Sequence, residues 1–452
     1  MRRPVYEMLA AAAGRDSCHM PGHKGRAPFG VIDPYALDTT ELPVTDDLYR
    51  PEGGLREAQR LYARAVGAGA TIFLHNGSTG GIHAMLQLWA GEGETVLLPR
   101  NAHLSAANAC VLGGMNPVWM PVTQRADGYC YLAEGTVLAA LAAHPEARAV
   151  LITRPDYYGG CVPLERIVAA AHARGVRVVV DEAHGAHLPW LGGVPSAGDC
   201  GADAWTQSVH KTLPGFTGAA VLHLRGAEDA RAALRVLRRE QTSSPSFLLM
   251  LSIDDARAFM AEGEGRARLA EAVSAAQALR RALPATSYRD AHDAWRGTGQ
   301  LFDPTRLVLE APQGGAALAE QLGARGVDVE MSDHRRAVLI LSCMDAPEKI
   351  RRLGDILAAL PAKAAPLAAL PPQLPLPPRR MPLRRAALAA CEPVPLARAA
   401  GRVAAASAGL YPPGIPLVCP GEEITEDAVG LLAAARGGQR FGMEGDCLLC
   451  VR

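Results

Sequence analysis

The stretch from Val178 to Thr217 constrains this chain more than any other. It opens with the β-branched run Val178-Val179-Val180, which stops at Asp181-Glu182-Ala183-His184-Gly185-Ala186-His187. A short continuous apolar run ending in an acid is how a buried parallel strand delivers a carboxylate to its C-terminal rim. A second apolar segment, Ala204-Trp205-Thr206-Gln207, runs straight into Ser208-Val209-His210-Lys211. The pattern predicts two strands that can be neighbours, with Asp181 and Lys211 facing one crevice.

A lysine amine and a carboxylate across one crevice suit pyridoxal phosphate chemistry. The amine forms a Schiff base with the cofactor, and the carboxylate keeps the pyridine nitrogen protonated so that the ring accepts electrons. Taken singly, a surface lysine or a structural strand-end aspartate is the plainer explanation. Together, with Ser208 and His210 beside the lysine, they favour the cofactor. His184 and His187 have the spacing of two metal ligands, but a zinc site needs a third and would leave Asp181 and Lys211 unexplained. No metal is expected.

Length and charge narrow the class further. A chain of 452 residues has room for a large core and two or three domains. Lys+Arg and Asp+Glu balance at 46 each, so no bulk charge draws the protein to nucleic acid or to a membrane surface. The N-terminus lacks the apolar run of a signal peptide, and no stretch reaches about 18 uninterrupted apolar residues. The ten cysteines are scattered, as reduced thiols are, and predict a cytoplasmic protein. Cys447 and Cys450 form a lone Cys-x-x-Cys without a second pair, so neither a zinc nor a redox role is assigned.

Strand and helix patterns alternate along the middle of the chain. Thr71–Leu74, Thr95–Leu98, Val118–Met120, Ala149–Thr153, Val176–Val180, Ala204–Gln207 and Ala219–Leu224 read as strands. That rhythm predicts an α/β fold with a mainly parallel, doubly wound sheet. The first strand leads into Asn76-Gly77-Ser78-Thr79-Gly80-Gly81 and a helix, a layout that aims backbone N–H groups at a phosphate. The predicted units are an N-terminal arm (1–54), a large cofactor domain (55–285), a small α+β domain (286–360), a proline-rich linker (361–386) and a C-terminal domain (387–452). The arm is irregular but rich in turn chemistry and hydrophobic spacers, and is expected to wrap over a partner surface.

Several motifs, long and in order, carry a resemblance. His-Met-Pro-Gly-His-Lys-Gly (19–25), Thr-Glu-Leu-Pro (40–43), Asn-Gly-Ser-Thr-Gly-Gly-Ile (76–82), Pro-Arg-Asn-Ala-His (99–103), Asp-Glu-Ala-His-Gly-Ala-His (181–187), Ser-Val-His-Lys-Thr-Leu-Pro (208–214), Gln-Thr-Ser-Ser-Pro-Ser (241–246) and Tyr-Pro-Pro-Gly-Ile-Pro (411–416) resemble the Orn/Lys/Arg decarboxylase family. The resemblance implies the aspartate-aminotransferase fold (fold type I), in the short form without an N-terminal receiver-like domain. It implies Lys211 as the Schiff-base lysine and Asp181 as partner of the pyridinium nitrogen. His103 would stack on one ring face above a small Ala183. Ser78 and Thr79, with Ser208 and His210, would hold the phosphate. His184 and Asp156 would lie near the ring hydroxyl or substrate, and Thr242 would be lent by the partner protomer of a homodimer or larger homo-oligomer. One departure stands after Lys211, where the family's alanine, bulky residue, threonine and glutamine are replaced by Gly215-Phe216-Thr217-Gly218. The unusual Arg154 and Asp156 also precede Tyr157-Tyr158-Gly159.

The implied reaction is decarboxylation of lysine, arginine or ornithine to CO2 and a di- or polyamine precursor. Such a substrate needs a rigid carboxylate for its distal cation. Glu422, in the Pro420-Gly421-Glu422 turn, is the preferred candidate, ahead of Glu41, Asp46 and Asp47 of the arm. Lys211 and Asp181 alone serve an aminotransferase or an aldolase-type lyase equally well. A non-catalytic binding paralogue would not need an intact lysine, aspartate and phosphate set. A helicase reading of Asp-Glu-Ala-His lacks its phosphate-binding Gly-x-x-x-x-Gly-Lys loop.

Overall fold

The computed structural model describes residues 15–30, 33–42, 44–361, 373–411, 414–435 and 440–452. Seven strands form the central sheet: β1 (Ala70–Leu74), β2 (Thr95–Pro99), β3 (Asn116–Met120), β4 (Ala149–Thr153), β5 (Arg177–Asp181), β6 (Ala204–Gln207) and β7 (Ala220–Leu224). Their order is β1-β7-β6-β5-β4-β2-β3. The pairs from β6 across to β3 are parallel, and β7 runs antiparallel to both β6 and β1. The alternating strand–helix rhythm thus gives the mainly parallel sheet, with one strand reversed.

Both faces of the sheet are covered, which is why its strands are continuous apolar runs rather than polar–apolar alternations. Ile72, Leu74, Val96, Leu98 and Val179 pack under α2 (Gly77–Trp89), α3 (Leu104–Gly113) and the helix Ala230–Glu240. Phe73, Leu97, Val178 and Val180 point the other way, toward Leu55 and Tyr62 of α1 (Gly54–Ala65) and Ile253 and Phe259 of the helix Phe247–Ala261. Successive residues of one strand therefore belong to two different cores. Among the described residues no helix is long and apolar enough to cross a membrane.

The smaller sheet is antiparallel, with β8 (Arg306–Glu310) and β9 (Arg336–Ile340) at its centre. Its core takes in Ala272, Ala276, Leu279 and Leu283, so the long helix Glu264–Ala282 serves this unit although it lies upstream of the predicted boundary at 286. The C-terminal unit has its own core around Val394, Val418, Ile424 and Leu448. In it Cys447 and Cys450 share the strand Cys447–Val451, where an odd separation sets them on opposite faces.

The start of the described arm packs on its own chain. Asp16–Cys18 pairs in parallel with Val327–Val329 of the same chain, Cys18 joins the small core, and the Gly22 N–H donates to the His210 carbonyl at 2.7 Å. Residues 15–25 therefore wrap over their own chain. The reason is steric as well as polar: a Cβ at Gly22 would sit 2.6 Å from the Leu213 carbonyl oxygen, so only glycine allows this approach.

Candidate active site

β5 and β6 are neighbours in register, with Asp181 opposite Thr206. Asp181 closes its strand at 4% exposure and accepts the Ala183 N–H at 3.2 Å. One residue past β6, Ser208 starts a single helical turn, Val209–Thr212, that carries Lys211. The two strand ends thus bring carboxylate and amine to the same rim, where parallel sheets bind ligands. Burial lowers the pKa of Lys211, partly opposed by the negative charge of Asp181.

The opposite wall is the N-terminal turn of α2. No side chain caps this helix start, and its dipole faces the hydroxyls of Ser78 and Ser208, whose oxygens lie 2.9 Å apart. The turn is clamped from behind. Gly77 has φ +61 and donates to the carbonyl of Gly218, itself at φ +97, while a Cβ on Gly81 would lie 2.2 Å from the Thr206 hydroxyl. Helix and strand approach as closely as they do because Gly81 lacks a side chain.

Three imidazoles surround the lysine. His184 Nε2 lies 3.2 Å from Lys211 Nζ, and its Nδ1 lies 3.3 Å from a guanidinium nitrogen of Arg306. Burial, then the charges of Lys211 and Arg306, hold His184 well below the usual histidine range. The ring of Tyr157 packs against His184 with centroids 4.9 Å apart. His103 caps α3, accepting the Ser105 N–H on Nδ1 at 3.2 Å, and keeps its ring solvent-facing. His210 is fastened to the Ala219 carbonyl through Nδ1 at 2.9 Å.

Some expected residues are spent elsewhere. Asp156 accepts the Tyr129 hydroxyl at 2.7 Å and the N–H groups of Tyr158 and Gly160, closing a turn rather than facing a substrate. His187 bonds Asp303 at 3.0 Å in the core. Arg154, at 0% exposure, pairs with Glu182 at 3.5 Å. Thr242 is exposed; its hydroxyl accepts the Ser244 N–H and its carbonyl accepts from Tyr49, outside the cluster around Lys211.

Glu422 is the main correction. Both its oxygens accept from the Arg100 guanidinium at 2.7 Å, one also takes the Cys419 N–H, and the side chain is buried. A carboxylate already matched to a fork of two N–H groups is not available to a substrate cation. Asp46 is likewise consumed, accepting the N–H groups of Asp47, Glu52, Gly53 and Leu55 ahead of α1. Asp47 accepts from Tyr49 N–H.

Two residues escaped the sequence reading. Arg306 opens β8 at 0% exposure, and a charged residue at the head of the run Leu-Val-Leu was the available signal. Glu330 lies between two short strands of the small unit, and its charge reaches Lys211, Tyr157 and Tyr411 together. The Val-Asp-Val-Glu alternation marks Glu330 only as a strand-edge acid.

The groups present fit pyridoxal phosphate: an uncapped helix start lined with hydroxyls, a buried carboxylate, a small Ala183 and a lysine of lowered pKa. Sheet and site together define a pyridoxal-phosphate-dependent enzyme of fold type I. Solved structures agree on the fold: lysine decarboxylase A from Pseudomonas aeruginosa superposes with a TM-score of 0.78 at 22% identity, covering 92% of this chain and 74% of that one. The chain belongs to the Orn/Lys/Arg decarboxylase family, whose major domain matches residues 4–298 and whose C-terminal domain matches 376–441. It is 32% identical to an arginine decarboxylase of Bacillus anthracis, over 94% of this chain and 91% of that one. An arginine decarboxylase of Halalkalibacterium halodurans is also 32% identical, over 97% and 94%. The protein is a pyridoxal-phosphate-dependent amino-acid decarboxylase.

Proposed function

We propose that the substrate is a basic amino acid (arginine, lysine or ornithine) and that Glu330 receives its distal cation. The observation that carries this reading is the position of Glu330, an acid within electrostatic reach of Lys211, Tyr157 and Tyr411 at once. One of its carboxylate oxygens accepts the Met20 N–H at 3.0 Å, which steadies it on the small unit. Relatives named arginine decarboxylase and lysine decarboxylase support the same substrate class.

Each side chain has a role in this scheme. Lys211 would hold the cofactor through its amine. Asp181 would keep a proton on the pyridine nitrogen, and His103 and Ala183 would flank the ring. Ser78, Thr79, Ser208 and His210 would hold the phosphate at the positive end of α2. When bound, pyridoxal phosphate supplies the electron sink into which the bonding pair flows as CO2 departs.

A product screen with arginine, lysine and ornithine tests the proposal. At least one is expected to release CO2, and Glu330→Gln is expected to raise KM about ten-fold or more while leaving bound cofactor unchanged, as loss of a charged hydrogen bond does. CO2 from a neutral or acidic amino acid, with none from these three, would overturn it.

A further inference from the structure

The Arg306 guanidinium is wholly buried, yet its Nε and Nη1 have no hydrogen-bond partner among the described residues. Its remaining nitrogen faces His184 Nδ1 at 3.3 Å, and the nearest carboxylate oxygen, on Asp303, is 3.9 Å away. Asp303 is itself fixed by the His187 ring at 3.0 Å and by the N–H and hydroxyl of Thr305 at 2.9 and 2.7 Å. The base of the Arg306 side chain is closely packed, since a Cβ on Gly159 would lie 2.9 Å from Arg306 Cβ. A buried cation in this position constrains whatever lies in front of it.

A guanidinium has five N–H donors and no acceptor. Where it meets an imidazole nitrogen, that nitrogen must present its lone pair. The proton of neutral His184 then sits on Nε2, which lies 3.2 Å from Lys211 Nζ. An Nε2–H cannot accept from an ammonium, so the lysine nitrogen must be the acceptor, which requires a free amine. The opposite arrangement, Nδ1–H with an ammonium donating to Nε2, would set N–H against N–H at Arg306. We propose that Arg306 is a positioning residue that fixes His184 as the Nε2–H tautomer, so that His184 donates to the unprotonated amine of Lys211. The device prepares the lysine as a nucleophile before any cofactor arrives.

The neighbouring charges act in the same frame. Lys211 also feels Asp181 and Glu330, which favour its ammonium, while His184 feels His103 and His210 besides the two cations. Fixing the tautomer offsets the pull of the two acids on Lys211. The inference rests on Lys211 being the cofactor lysine, and the test separates the two.

In the full-length, cofactor-free chain with 15N-labelled histidine, the His184 signals are assigned by their loss in His184→Gln. The expected wild-type spectrum shows a bare Nδ1 and a protonated Nε2. In Arg306→Met the proton moves to Nδ1 or the ring becomes cationic near neutral pH, whereas Arg306→Lys, which keeps a donor-only cation, retains Nε2–H. Uptake of added pyridoxal phosphate, followed by absorbance against pH, should have its midpoint raised by about one unit or more in Arg306→Met and largely restored in Arg306→Lys. A wild-type Nδ1–H, or an unchanged tautomer in Arg306→Met, would overturn the proposal; the wild-type spectrum decides it even if the methionine variant does not fold. Cofactor uptake with the same absorbance in Lys211→Ala would sink the cofactor-lysine reading alone and leave the tautomer result standing.

Discussion

Lys211 is drawn two ways: burial favours its neutral amine, and Asp181 favours its ammonium. Replacing it with alanine should abolish both the cofactor's visible absorbance and turnover; retained activity in the purified variant would contradict the central assignment. Asp181→Asn should stay folded and coloured but slow turnover at least ~10²-fold, because a preorganised charge is commonly worth several kcal/mol. A near-wild-type rate would mean another group holds the ring proton. The meeting of both residues on one rim was legible in the sequence because each follows a short apolar run, and adjacent parallel strands share a rim. Glu330 and Arg306 were not, since only tertiary packing carries them from the small unit to Lys211. Glu422 was misread for a related reason. A glutamate on a rigid turn looks the same whether it faces a ligand or an arginine 322 positions away in sequence.

At the scale of elements, the N-terminal turn of α2 depends on close approach to β6. Gly81→Ala would force a methyl into Thr206, so the helix start must move; a loss of about 1–3 kcal/mol and weaker cofactor retention are expected from overpacking. Unchanged melting and cofactor affinity would show that the turn tolerates the shift. The family's glutamine could not simply replace Gly218, since φ +97 strains any side chain there. The loops after β4 and β5 carry a pH dependence as well. Burial raises the Glu182 carboxyl to about 7 and that of Asp156 to about 6, above their ordinary values. A raised folded-state pKa means stability is fully present below the unfolded value and is lost as pH rises through the folded one. Tm should therefore fall between about pH 4 and pH 7, and Glu182→Gln should flatten much of that slope. A slope of the same size in the variant would remove Glu182 as its source.

For the molecule as a whole, the Arg100–Glu422 pair ties the C-terminal unit to the large domain. Glu422→Ala leaves a buried guanidinium without its partner and should cost about 3–5 kcal/mol, read as a lower Tm rather than a raised KM. A selective rise in KM would return Glu422 to the substrate site. The exposed Thr242 and its neighbours make sense as a surface offered to a second copy. Mixed dimers of Lys211→Ala and Thr242→Ala should then regain activity that neither variant has alone, whereas a fully active monomer in sedimentation would remove the shared site.

The arm has a consequence for how the site comes into being. Gly22 donates to the loop that carries Lys211, and its own carbonyl accepts the hydroxyl of Ser342, 320 positions later. Contacts of such sequence separation form late, because the loop must close before they contribute anything. On a ribosome adding ~5–20 residues per second, Gly22 waits roughly 15–60 s for Ser342 to be made. Until then the motif from His19 to Gly25 has no finished surface to settle on. A nascent chain stalled before Ser342 should hold the central sheet already folded, with its arm still open to protease and its lysine loop unfastened.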